Sequence, residues 1–102
     1  VGDCPSELGG LAILRGSNRI KRVVDHHFSL GAGSLQVNIT DHPELEDAWF
    51  SADYQVGDTL IFPALTIHMA LPNKTDDRLR VSLDNRYQAI GDRLQSTCWS
   101  RT

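Results

Sequence analysis

Short apolar or alternating runs, cut apart by turn residues, set the organisation of this chain. Gly9-Gly10, Gly16-Ser17-Asn18, Gly31-Ala32-Gly33, Pro43, Gly57-Asp58, Pro63 and Pro72-Asn73 punctuate it, each able to supply a positive φ or a fixed one. The runs between them are too short for helices. They predict strands over Leu11 to Leu14, Leu35 to Ile39, Trp49 to Tyr54, Thr59 to Phe62, Thr66 to Ala70 and Leu79 to Tyr87. In the last of these, strict alternation sets Leu79, Val81 and Leu83 on one face and Arg80, Ser82, Asp84 and Arg86 on the other. Gly57-Asp58 predicts a hairpin or tight turn. Asp41 to Asp47, with a capping Asp, an early Pro and several acids, predicts a helix of one or two turns. The fold class expected is all-β and mainly antiparallel, a sandwich, small barrel or jelly roll, with Leu60, Phe62, Ile67, Val81 and Leu83 in its core.

Composition narrows the function classes. At 102 residues the chain is read as one domain, residues 1–102, of a size that buries only about 60% of its unfolded surface. Its 40% hydrophobic and 23% charged residues and formal charge of −3 describe an ordinary globular protein. That balance argues against nucleic acid as a partner. No apolar run approaches the roughly 20 residues of a membrane span, and no leader pattern is present, so no membrane association and a cytoplasmic location are expected. Cys4 and Cys98 stand at opposite ends with no CxxC spacing and are expected to be free thiols. Asn38-Ile39-Thr40 and Asn73-Lys74-Thr75 match the glycosylation pattern and, without a secretory signal, are read as chance. The chain opens at Val1, straight into Gly2-Asp3-Cys4-Pro5, a turn-like start that predicts a fragment.

The residues that carry chemistry lie towards the C-terminal end. His68 sits in the apolar stretch Phe62 to Ala70, and Arg80 and Ser82 share one face of the following run. Gly57-Asp58-Thr59-Leu60-Ile61-Phe62, then His68, Pro72-Asn73 and Arg80-Val81-Ser82-Leu83-Asp84-Asn85-Arg86-Tyr87-Gln88 resemble the end of the double-stranded β-helix in phytanoyl-CoA dioxygenase-like proteins. Earlier, Gly9-Gly10-Leu11 through Gly16-Ser17-Asn18 resembles that family's "GGL…PGSH" strand and turn, with Arg15 in place of Pro and Asn18 in place of His. The match is weak over Ile20 to Ala48.

The resemblance implies a cupin-like jelly roll, incomplete at its N-terminus, belonging to a non-haem Fe(II)- and 2-oxoglutarate-dependent oxygenase that hydroxylates a small organic substrate. It makes His68 the distal histidine of the iron site, Arg80 the partner of the far carboxylate of 2-oxoglutarate, and Ser82 a hydrogen-bonding neighbour of that carboxylate. These residue types suit those tasks. Neutral imidazole binds Fe(II) within a two-His, one-carboxylate triad, and a carboxylate in a partly dry barrel is matched by the planar guanidinium fork. Arg78 competes with Arg80 for this role; Arg80 is favoured because it shares a strand face with Ser82 and lies in the Arg-x-Ser pattern.

The family's other two ligands form a His-x-Asp pair upstream of the "GGL" strand, and this chain has no such pair. Its only His-x-acid is His42-Pro43-Glu44, weighed as a relocated substitute; the Pro and the acidic neighbours favour a solvated loop or helix start. Asp25-His26-His27 is expected in a surface or substrate-side loop. The chain alone is therefore expected to hold iron poorly and to be inactive, the alternative being a non-catalytic small-molecule-binding or oligomerising module. A homo-oligomer is expected, because a jelly roll missing part of a sheet leaves apolar faces and strand edges open.

Overall fold

A computed structural model describes residues 2–28 and 35–93. Its strands are β1 (Leu11–Leu14), β2 (His26–Phe28), β3 (Leu35–Val37), β4 (Trp49–Phe50) and β5 (His68–Ala70). They form a three-stranded sheet in the order β4-β1-β5 and a two-stranded sheet of β2 and β3, with every pairing antiparallel. The fold class is the expected one. Helical geometry among the described residues is confined to three short 3-10 turns, Ser6–Leu8, Ser17–Ile20 and Pro43–Leu45. None could cross a membrane.

β1 is the centre of the molecule. It pairs with β4 through Ile13↔Phe50 and with β5 through Leu11↔Ala70 and Ile13↔His68. Its alternation buries Ala12 and Leu14 and leaves Leu11 and Ile13 partly covered, as period-two side-chain placement requires. Cys4, Leu8, Val24 and Leu45 are the other buried hydrophobic residues among those described. Gly9 sits at φ 81 where a Cβ would strike the Leu71 carbonyl, and this absence of a side chain lets the Ser6–Leu8 turn press against the segment after β5. The ladder is extended beyond the strands by Leu71 N–H to Gly10 O at 2.9 Å and by the Cys4–Tyr54 bridge.

Three sequence expectations are corrected. Thr59–Phe62 and Leu79–Tyr87 belong to neither sheet. Alternation prepares a segment for pairing, but a strand exists only where a neighbouring backbone completes the ladder. Of the expected core, Leu60, Phe62 and Ile67 are only partly covered, and Val81 and Leu83 are 57% and 79% exposed. No second layer of described residues covers their face. The helix expected over Asp41 to Asp47 is a single 3-10 turn preceded by His42, so Asp41 caps nothing; Pro43 starts the turn, and Leu45 ends it by dropping into the core. Elsewhere the turn at Gly57 forms as expected, with Gly57 at φ 93 and Asp58 N–H bonded to Gln55 O at 3.0 Å.

Candidate functional site

His68 opens β5, where register with Ile13 fixes its backbone. Its Nδ1 lies 3.0 Å from the Thr66 carbonyl. A carbonyl can only accept, so Nδ1 carries the proton and Nε2 carries the lone pair. The ring also packs on Phe62, with centroids 4.9 Å apart and planes tilted by 47°. This is the orienting arrangement that a metal-binding histidine needs. The residue is nonetheless exposed.

The segment before His68 is tied to β1 from below. Leu14 N–H donates to Ile67 O at 2.8 Å, and Ile67 N–H donates to Ser17 Oγ at 2.9 Å. Ser17 is 1% exposed. Sequence reading placed Ser17 only in a turn motif, and nothing in its spacing from Ile67 announces the contact; the signal was a hydroxyl adjoining the central strand.

Arg80 and Ser82 are brought together, Arg80 Nη1 donating to Ser82 Oγ at 3.0 Å. Arg78 is engaged elsewhere: its guanidinium pairs with Glu7 at 2.5 Å, and its carbonyl accepts from Asn73 Nδ2. Asp84 and Arg86 pair with each other at 3.4 Å. Val81, between Arg80 and Ser82, keeps an interaction of its own. His68 and Arg80 line neither the concavity bordered by Arg15 and Ala48 nor the one bordered by Val24 and Ile67.

His42 and Glu44, the substitute ligands, face each other at 3.3 Å beside one of those concavities. His26 and His27 lie in β2, a strand where a loop was expected, and both are exposed. His26 Nδ1 donates to its own Val24 carbonyl at 2.9 Å, and the residue borders the second concavity with Val24, Leu35 and Ile67. Cys4 is a buried free thiol; Cys98 lies outside the described residues.

Iron does not fit this set. Among the described residues no three His, Cys, Asp or Glu side chains are grouped to hold a metal ion, and the rest of the sequence adds only Cys98 to that inventory. One well-oriented imidazole is a single ligand of a triad. A carboxylate is better served, since Arg80 presents a guanidinium already steadied by a hydroxyl that keeps its own proton free to donate.

The family model described as phytanoyl-CoA dioxygenase (PhyH) matches residues 1–82. That span covers β1, the His68 strand and the Arg80–Ser82 pair. No curated protein and no solved structure gives a match.

Proposed function

We propose, since this chain belongs to the phytanoyl-CoA dioxygenase family, that it carries the 2-oxoglutarate grip of a 2-oxoglutarate-dependent oxygenase, with Arg80 as the fork for the far carboxylate and Ser82 as its helper. The observation that carries this reading is the 3.0 Å bond from Arg80 Nη1 to Ser82 Oγ. Arg80 thereby keeps four N–H donors, and Ser82 can direct its hydroxyl proton at the same carboxylate oxygen. Arg78 is the weaker candidate because Glu7 already neutralises it.

His68 is the residue the family resemblance assigns to iron, with Nε2 available by virtue of the Thr66 bond. When bound within the family's full ligand set, Fe(II) supplies dioxygen activation for hydroxylating a small organic substrate. No step through iron is assigned to this chain, whose residues do not complete the site. By itself it binds the keto acid and does not turn it over.

Calorimetric titration with 2-oxoglutarate, without metal, tests the reading. A charge-assisted contact contributes about 1.5–3 kcal/mol, so the affinity expected is weak, on the order of millimolar. Arg80→Ala should abolish it and Ser82→Ala weaken it, while Arg78→Ala should leave it intact. Binding that survives Arg80→Ala, or that is missing in the unaltered chain at tens of millimolar, would remove the grip from this segment.

A further inference from the structure

Between the turn that follows β1 and the turn before β4 lies an open groove of about 390 Å³. Arg15, Arg19, His42 and Glu44 line it, and Ile20 and Leu45 supply apolar surface. The groove has no part in the Arg80 site.

Its charge is unbalanced. The chain as a whole is acidic, at −3, yet here two guanidinium groups meet a single carboxylate. The acidic partners of the other ion pairs, Glu7 and Asp84, serve Arg78 and Arg86. Arg15 lies over the Phe50 ring at 5.8 Å, a contact that steadies its head and leaves its N–H donors unused. Arg19 makes no side-chain hydrogen bond or ion pair among the described residues. Glu44, the one acid present, is turned towards His42 Nδ1.

His42 adds a second sign. Its Nε2 is buried and has no hydrogen-bond partner among the described residues, which is an uncommon condition for a polar atom at the edge of a concavity.

We propose that this groove binds a small phosphate monoester, its dianion held between Arg15 and Arg19. Two guanidinium forks match a tetrahedral dianion better than a single carboxylate. The volume exceeds that of a phosphate group and falls in the range of small-ligand sites, so Ile20 and Leu45 are placed to cover an organic remainder.

Titration of the isotopically labelled chain with inorganic phosphate, at constant ionic strength, is the test. Amide shifts are expected at Gly16, Arg19, Leu45 and Ala48, with at least a fivefold weaker response to acetate. Arg15→Gln and Arg19→Gln should each weaken phosphate binding at least fivefold, and Glu44→Gln should strengthen it. Both arginines are exposed, and an unchanged spectrum away from the groove confirms that each variant is folded. Arg80→Ala should leave phosphate binding unaltered, and the Arg15→Gln/Arg19→Gln pair should leave 2-oxoglutarate binding unaltered, so either site can fail without the other. Shifts scattered over the surface, a response to acetate equal to that for phosphate, or insensitivity to both arginine substitutions would overturn the proposal.

Discussion

Ser17 Oγ accepts the Ile67 amide proton at 2.9 Å while giving its own to the Leu14 carbonyl at 2.7 Å. One buried hydroxyl thus joins the end of the central strand to the backbone that precedes His68. Ser17→Ala leaves a buried donor and a buried acceptor without partners, at a cost of about 1–3 kcal/mol. Urea unfolding should show that loss as a lower midpoint with an unchanged slope. A shift below about 0.5 kcal/mol would mean that water replaces the hydroxyl.

Gly9 is the second structural test. At φ 81 any other residue is strained, and a Cβ would collide with the Leu71 carbonyl and stand 2.9 Å from Asn73 N. Both obstacles are backbone and cannot swing aside. The left-handed conformation costs about 1–2 kcal/mol, and overpacking adds about 1–3 kcal/mol. Gly9→Ala is therefore expected to lower stability by more than about 2 kcal/mol, whereas Gly2→Ala, at a similar φ with open space around it, should cost only the conformational part.

How much of this was readable in advance follows from which forces act locally. β1 is present over its predicted apolar run, and β3 and β5 fall within their expected runs, because each has a partner backbone in the chain. The Leu79 to Tyr87 run alternates more clearly than any of them yet belongs to neither sheet of the described residues, since alternation alone does not fix which segments pair. Ser17 was invisible as a core residue because its partner lies fifty positions away. Arg80 and Ser82 were legible as a pair because only one residue separates them. The pairing of Arg78 with Glu7 spans 71 residues, and no local pattern contains it.

Asp53 should titrate below its ordinary value of 3.8, held down by the Ser6 hydroxyl and the Ser6 backbone N–H that donate to its carboxylate. The folded-state value is depressed, so the contribution of this contact is fully present above the ordinary carboxylate range. It is lost as pH falls through the folded value. Carboxyl-carbon chemical shifts followed against pH should show the low midpoint, and Ser6→Ala should return it towards 3.8. An unshifted Asp53 would dissolve the tie between the Ser6–Leu8 turn and the residues before the Tyr54 bridge.

Association of copies is a further expectation. Leu79 and Leu83 are 88% and 79% exposed, and Tyr87 and Ile90 lie open beside them. An exposed apolar face on one molecule is matched by the same face on another, so we propose a dimer formed by packing of these residues against their counterparts. Light scattering at micromolar concentration should give twice the chain mass, and Leu83→Lys should return it to monomer. A monomer at all accessible concentrations would contradict the pairing.

Whether Arg80 grips the keto acid is read most directly from its own side chain, by following the Arg80 Nε–Hε resonance as 2-oxoglutarate is added in the absence of metal. The expected result is a saturating downfield shift on the order of millimolar ligand, accompanied by the Ser82 amide and absent for Arg78. An Arg80 resonance that stays in place while Arg78 or a distant arginine moves would contradict the assignment of the carboxylate grip to this pair.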